Sequence, residues 1–245
     1  MENCFKYYFW YRVQFFAPKN IINFEFNFPL SIFNFPFHIK HSQLTTIMEK
    51  EVYDELATIK QKCLACHKCS LCETRTNVVF EDGVPNPKLM LIGEAPGFNE
   101  DKQGKPFVGK AGQLLDRIFE SVGLSRKRDV YICNTIKCRP PDNRNPLPEE
   151  KEACWEYLKA QIDIIQPKII LLCGNVAVQS ILGNVGGITR IRGKWFDGDE
   201  KVHGAKLMPI FHPSYLLRND ARTKGSPKWL MWQDIQEIKH EFDKL

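Results

Sequence analysis

Apolar runs of strand length alternate with helical patterns along most of this chain, and this alternation restricts its fold. The strand-like runs are residues 88–93, 129–136, 168–174 and 206–211, and the helical patterns are residues 111–123, 148–165, 175–183 and 227–242. Apolar strands separated by helices indicate a parallel sheet that is covered on both faces. We therefore predict a single α/β domain, an α/β/α sandwich with a central, mainly parallel four-stranded sheet.

The first 47 residues differ in composition from the rest of the chain. They contain aromatic runs such as YYFWY and NFEFNFPLSIFNFPF, have only two acidic residues and show no helical period. Met48 directly precedes an amphipathic helix pattern, MEKEVYDELATIKQK. We therefore expect the working domain to span residues 48–245 and residues 1–47 to be translated upstream sequence outside the fold. An organelle-targeting sequence and an appended binding arm are the alternatives.

The chain has nine cysteines and a formal net charge of +5, and both limit the kinds of function that it can have. We find no signal peptide with a clean apolar core and a small-residue cleavage site, so we expect a cytoplasmic protein rather than a secreted disulfide framework. In a reducing compartment, clustered cysteines indicate a metal, an iron–sulfur cluster or redox chemistry. The mild positive charge permits a nucleic-acid partner without requiring one. No stretch of 18 apolar residues is present, and we expect no membrane partner.

Residues whose side chains could bind a ligand or take part in a reaction stand at the carboxyl end of every predicted strand. In chain order they are GEAPGFNED (93–101), Asn134, CGN (173–175) and HPS (212–214). In parallel sheets ligands bind in the crevice beyond these ends, so the four segments predict one site. The segment GKPFVGKAG (104–112) adds glycines and an aromatic face before a helix, which suits a nucleotide. Its spacing is neither that of a P-loop nor that of a dinucleotide fingerprint, which argues against a nucleoside triphosphatase or a dehydrogenase.

The segment CLACHKCSLC (63–72) places four cysteines at intervals of three residues. A Cys-x2-Cys pair can be drawn in three registers, from Cys63, Cys66 or Cys69. Such a pair, joined by two distant cysteines, would tie separated segments together around an iron–sulfur cluster. Zinc bound by four cysteines is the rival reading, and spacing alone does not choose between the two.

Five motifs in this order resemble those of the family 4 uracil-DNA glycosylases, the iron–sulfur branch of the uracil-DNA glycosylase superfamily. They are CxxC, GEAPGxxED, GxPFVGxAG, NxxKCRPPxNRxP and HPSYLLR, and the match covers residues 49–242. The resemblance implies a monomeric DNA repair enzyme that flips uracil out of single- or double-stranded DNA and hydrolyses the N-glycosidic bond, leaving an abasic site. A catalytically inactive iron–sulfur DNA-binding module of the same fold is the alternative.

The resemblance also implies which cysteines bind the cofactor. A [4Fe–4S] cluster would be held by Cys66, Cys69, Cys138 and Cys154, which leaves Cys63 and Cys72 spare. Cys133 and Cys173 are expected to be small apolar residues of the strands. The cluster would do no redox chemistry and would hold the proline-rich loop after Cys138 in place.

The same resemblance assigns the recognition of the base to three residues. Phe107 would offer a π surface to uracil. The side-chain amide of Asn134 would donate to O4 and accept from N3–H, a pattern that cytosine does not match. His212 would stabilise the negative charge on the departing base near O2, as one of the two catalytic residues.

Glu94 is the candidate for the second catalytic role, orienting the attacking water or stabilising the cationic sugar. Its neighbours Gly93 and Ala95 complete the predicted substrate-binding set. Glu100 and Asp101 lie close by in the sequence and could share the role of Glu94.

DNA binding is expected from two segments. Arg139 and Arg144 in RPPDNRNPLP would grip the phosphate backbone. In PSYLLRND, Leu216 or Leu217 would fill the gap left by the flipped base, and Arg218 would hold a phosphate. The alternatives are an ordinary solvated loop and leucines of a helix core. The segment GITRIRGKW (187–195) is basic and aromatic, which suits DNA and is also normal for a surface loop.

Overall fold

A computed structural model of the protein describes residues 41–245, with side chains from residue 50 onwards. Most of residues 1–47 lie outside the described residues, so the expectation about this segment stays a prediction. Residues Glu51–Leu245 form one compact unit. The first described helix, α1 (His41–Leu64), begins upstream of Met48, the residue at which the sequence pattern placed its start. The apolar face of this helix is confirmed, because Leu56 is buried in the core.

Six strands form one mixed sheet in the order β1-β3-β2-β4-β6-β5. They are β1 (Asp82–Gly83), β2 (Leu89–Gly93), β3 (Val130–Asn134), β4 (Ile169–Cys173), β5 (Phe196–Asp197) and β6 (Lys206–Ile210). The four central strands are parallel and correspond to the four predicted runs. The two edge strands are antiparallel and were not predicted, because two residues are too few to show a hydrophobic period.

Eight further helices follow α1 in the described part of the chain. They are α2 (Leu71–Thr74), α3 (Phe98–Gln103), α4 (Lys110–Glu120), α5 (Pro148–Ile165), α6 (Asn175–Leu182), α7 (Ile188–Ile191), α8 (Pro213–Arg218) and α9 (Pro227–Phe242). The four long helical patterns of the sequence correspond to α4, α5, α6 and α9. Proline at the first position of α5 and α9 suits a helix start, since its backbone nitrogen would lack a partner there.

Side chains of the central strands alternate between two apolar layers, one on each face of the sheet. Leu89 and Leu91 of β2 belong to the layer that α4 and α9 cover. Met90 and Ile92 belong to the opposite layer, which α5 and α6 cover. Successive residues of a strand point to opposite faces, so a strand buried on both sides needs a continuous apolar run. The predicted α/β/α sandwich is therefore confirmed. No helix in the described range is long and apolar enough to cross a membrane.

Candidate active site

A cleft of about 490 Å³ opens at the carboxyl ends of the four parallel strands. It is lined by Glu94 after β2, Asn134 at the end of β3, Gly174 after β4 and His212 after β6. The residues that the sequence placed at this edge therefore meet in one cleft. Ala95 and Phe107 line it as well.

Asn134 supplies an unsatisfied hydrogen-bond acceptor to this cleft. The residue is 2% exposed, and its Oδ1 is the one buried side-chain nitrogen or oxygen of the described residues that has no hydrogen-bond partner. A buried acceptor without a partner costs about 1–3 kcal/mol in a folded protein. Because such atoms are rare, Oδ1 of Asn134 indicates a donor that arrives with a ligand.

Gly93 makes room for both Asn134 and Phe107. It pairs with Asn134 across β2 and β3 in the parallel register. A Cβ atom on Gly93 would lie 2.4 Å from Asn134 Oδ1 and 2.7 Å from Cε2 and Cζ of the Phe107 ring. The absence of a side chain at residue 93 therefore allows the amide and the ring to meet at the floor of the cleft.

The Phe107 backbone is held in an uncommon conformation, in part by Arg126, a residue that sequence reasoning missed. Its φ is 54°, in the left-handed region. Arg126 donates from Nη2 to the Phe107 carbonyl at 2.9 Å and from Nη1 to the Pro106 carbonyl at 3.0 Å. A Cβ on Gly112 would lie 1.7 Å from the same Phe107 oxygen, so this position requires glycine. Nothing in the local sequence pattern connects Arg126 with the Phe107 ring.

His212 is held as a neutral hydrogen-bond donor. Its Nδ1 accepts from the Ser214 backbone N–H at 3.2 Å and lies 2.8 Å from the Ser214 hydroxyl. A ring nitrogen that accepts carries no proton, so the neutral ring bears its proton on Nε2. Burial lowers the pKa of His212 to about 4, and the Arg218 charge adds to this shift while Glu100 opposes it. The ring centroid lies 5.6 Å from that of Phe107.

Glu94 is the carboxylate of the cleft whose environment suits a catalytic role. Its side chain is half-buried, and burial raises its pKa above the ordinary value of 4.5 while the Lys151 charge opposes the shift. The two neighbouring carboxylates serve the backbone instead. Glu100 Oε1 accepts from the N–H groups of Val108 and Gly109, at 2.9 and 2.8 Å. Asp101 Oδ1 accepts from the Thr76 N–H at 2.9 Å, and Asp101 does not line the cleft.

The two arginines of the proline-rich loop have different surroundings. Arg139 lies over the exposed Phe98 ring, 5.2 Å from its centroid. Arg144 donates from Nη1 and Nη2 to both carboxylate oxygens of Glu150, at 2.9 and 2.6 Å, and Glu150 is 1% exposed. These bonds, together with the Leu147 N–H, lower the pKa of Glu150. Arg144 lines the cleft, but its charge is already paired within the protein, which argues against the predicted phosphate contact.

The predicted intercalating leucines separate in the structure. Leu216 is 1% exposed and packs in the core beneath α8, whereas Leu217 is 40% exposed. Adjacent residues of a helix point in directions about 100° apart, so one of the pair faces the core. The assignment of Leu216 as a wedge is therefore wrong, and Leu217 remains the prediction. Arg218 is exposed and lines the cleft.

The basic segment after α6 is only partly free to meet DNA. Arg192 donates from Nε to Asp234 at 2.7 Å and lies over the Phe211 ring, so it ties α7 to α9. The indole nitrogen of Trp195 donates to Glu237 at 3.0 Å. Arg190 and Lys194 are exposed.

A second cavity is lined by six cysteines. They are Cys63, Cys66, Cys69, Cys72, Cys138 and Cys154, so all three registers of the Cys-x2-Cys pair face it. Two donors point at sulfur atoms: the Lys137 N–H at 3.2 Å from Cys154 Sγ, and Arg75 Nη1 at 3.3 Å from Cys138 Sγ. Burial raises the pKa of the Cys154 thiol to about 12. Within residues 41–245, no three cysteine, histidine or acidic side chains are placed to hold a single metal ion.

Lys137 connects this cavity with the cleft, and sequence reasoning missed it. The residue is fully buried, and its Nζ donates to the Asn134 carbonyl at 2.7 Å and to Gln161 Oε1 at 2.6 Å. Gln161 in turn donates to the Tyr131 hydroxyl at 2.8 Å. A buried ammonium is stable only when it is hydrogen-bonded and near negative charge, and thiolates in the cysteine cavity would supply that charge.

Comparison with known proteins shows the family. A sequence profile described as the uracil DNA glycosylase superfamily matches residues 80–236. The chain is 42% identical over 182 residues to the type-4 uracil-DNA glycosylase of Thermotoga maritima, covering 74% of this chain and 91% of that protein. It is 44% identical over 191 residues to the type-4 enzyme of Sulfurisphaera tokodaii, covering 76% and 84%. The type-4 enzyme of Archaeoglobus fulgidus is 40% identical over 168 residues, covering 67% and 84%. With this cleft and these relatives, the chain belongs to the uracil-DNA glycosylase superfamily, in its type-4 group.

Proposed function

We propose that this protein is a DNA repair glycosylase that hydrolyses the bond between uracil and deoxyribose and leaves an abasic site. The observation that carries the proposal is the buried Oδ1 of Asn134, unpartnered among the described residues, at the floor of a cleft that also holds an aromatic ring and a neutral histidine. The names of the type-4 relatives support the same activity. Uracil inside a duplex reaches such a cleft only when its nucleotide is flipped out of the stack.

Recognition of uracil follows from the donor and acceptor pattern of its edge. Oδ1 of Asn134 accepts from N3–H of uracil, and the amide nitrogen of the same side chain donates to O4. Cytosine presents an acceptor at N3 and a donor at its amino group, so both contacts would oppose it. A site built around a matched hydrogen bond rejects a mismatched analogue strongly, because its buried polar group would stay unpaired. The Phe107 ring covers a face of the base.

Departure of the base is assisted by His212. Its Nε2–H donates a hydrogen bond toward O2, where negative charge develops as the glycosidic bond breaks. With a pKa of about 4 the ring is neutral near pH 7, so it stabilises the anion without transferring a proton. Removal of one such donor typically costs about 10²–10³ in rate.

Glu94 acts on the sugar side of the reaction. Its carboxylate orients the attacking water and stabilises the cationic sugar that forms as uracil leaves. The leaving group is a delocalised anion, so a second carboxylate acting as a general acid is unnecessary. The hydrogen bonds of Glu100 and Asp101 to backbone N–H groups leave this role to Glu94.

The cysteine cavity fits a [4Fe–4S] cluster held by Cys66, Cys69, Cys138 and Cys154. The cluster would supply charge and a rigid tie between segments rather than a step of the reaction. Each thiolate of a cluster binds a different iron, whereas zinc needs its four sulfurs at about 2.3 Å from one point. Two N–H donors to sulfur and the buried Lys137 suit an anionic cluster, since hydrogen bonds and charge stabilise it.

A uracil-release assay on a labelled oligonucleotide tests the activity. The wild-type protein should release uracil, and Asn134→Asp should lower the rate by about 10- to 1000-fold, as expected for loss of a matched buried hydrogen bond. Asn86→Asp is the matched control, because this exposed asparagine precedes β2 at the opposite end of the strands. DNA binding without any uracil release by the wild-type protein would favour the inactive binding module instead.

Metal content tests the cofactor separately. Serine at Cys66, Cys69, Cys138 or Cys154 should lower the iron content and the visible absorption, whereas Cys72→Ser should leave both unchanged. Stoichiometric zinc in a colourless, active preparation would refute the cluster.

A further inference from the structure

Phe98 is the most exposed large apolar side chain of the described residues. It is 59% exposed and begins α3, directly after Gly97, which lines the cleft. Single exposed apolar residues are common on protein surfaces, so exposure alone indicates nothing. The surroundings of this ring distinguish it from an isolated surface residue.

Arg139 is fixed beside the Phe98 ring from two sides. Its guanidinium carbon lies 5.2 Å from the ring centroid, within the range of a cation–π contact. Its Nε donates to Asn143 Oδ1 at 2.7 Å. Asn143 lines the cleft, so the pair formed by Phe98 and Arg139 is continuous with the wall of the active site.

The backbone of the proline-rich loop is arranged to make this contact. Asp142 and Asn143 both adopt left-handed conformations, with φ of 54° and 55°. Non-glycine residues held in this region are strained, and such residues cluster at binding sites. Here the turn places Asn143 Oδ1 where it accepts the hydrogen bond from Arg139 Nε.

We propose that Phe98 and Arg139 form a stacking platform for an unpaired base of single-stranded DNA, next to the nucleotide that carries uracil. An aromatic face beside a cation is the arrangement with which proteins hold single strands: the ring stacks on a base and the charge faces the phosphates. Bases in a duplex have both faces covered by their neighbours, so only an unpaired base fits the ring. Every base has a π face, so we expect binding by this platform to be independent of sequence. This inference rests on the proposed function, because the bound strand is the uracil-bearing one.

Fluorescence anisotropy with a labelled single-stranded oligonucleotide that lacks uracil tests the platform. Phe98→Ala should weaken binding by about 10-fold, and Phe98→Leu should weaken it nearly as much, because the loss comes from the π face rather than from apolar area. Phe98→Trp should bind as well as the wild type. Trp232→Ala is the control, since Trp232 is an exposed aromatic residue on α9, at 43% exposure, outside the cleft.

Uracil release separates this inference from the proposed function. Phe98→Ala should raise KM on a single-stranded uracil oligonucleotide by about the same 10-fold and leave excision from a uracil-containing duplex within twofold of the wild type. Unchanged single-strand affinity in Phe98→Ala, or an equal loss on single strand and duplex, would overturn the platform. Weakened binding by Phe98→Ala in a protein that never releases uracil would refute the proposed activity but keep the platform.

Discussion

Replacing Gly93 by alanine should damage uracil excision far more than it damages the fold. The added Cβ would lie 2.4 Å from Asn134 Oδ1 and 2.7 Å from two atoms of the Phe107 ring. Unbonded carbon and oxygen atoms do not approach so closely, so the amide and the ring would each move by about 1 Å. A displacement of this size can cost about 100-fold in rate, which equals about 2.7 kcal/mol of transition-state stabilisation.

The effect on stability should be smaller and separable. Overpacking a core typically costs about 1–3 kcal/mol, which a domain of this size tolerates. Gly187→Ala is the matched control, because the structure places no atom within 4 Å of its Cβ and its φ of −73° suits alanine. This control should keep wild-type activity and stability.

Single-turnover uracil release with enzyme in excess measures the rate without product release, and urea unfolding followed by circular dichroism measures stability. We expect Gly93→Ala to remain folded with a rate reduced about 100-fold. A folded Gly93→Ala protein whose rate stays within twofold of the wild type would show that Asn134 and Phe107 do not position uracil.

Two further predictions concern titration and a buried ion pair. Burial raises the pKa of Glu94 above 4.5 and lowers that of His212 to about 4. The fall of the excision rate at acid pH should therefore have its midpoint above pH 4.5 and follow the protonation of Glu94. This fall should persist in His212→Gln and disappear in Glu94→Gln. A fall near pH 6.5 that His212→Gln removes would contradict this, since 6.5 is the ordinary histidine value. Glu150→Gln should lower the thermal midpoint by several degrees, whereas Glu156→Gln in an exposed pair should not change it. The Arg144 contact lowers the pKa of Glu150, so the stability that this ion pair adds is present above the ordinary glutamate pKa and is lost as the pH falls through the lowered pKa. A thermal midpoint that Glu150→Gln leaves unchanged would refute the pairing.

The sequence alone determined the centre of the fold and the edge at which the cleft lies. Apolar runs such as residues 168–174 are long enough to be recognised as buried strands. Parallel strands place their carboxyl ends at the same edge of the sheet. Asn134 and His212 could be placed in the cleft for this reason, because each stands where a strand ends. The family resemblance added their chemical roles, which periodicity does not contain.

Only the tertiary structure decided which side chains are free to act. Leu216 is in the core, Arg144 is paired with the buried Glu150, and Asp101 is bonded to backbone N–H groups. The short helices and the two-residue edge strands also escaped prediction, since a period cannot be seen in so few residues. Arg126 supports Phe107 across 19 residues of sequence, and such a pairing leaves no local pattern. Contacts between residues that are distant in the sequence depend on the tertiary fold, so only the structure shows them.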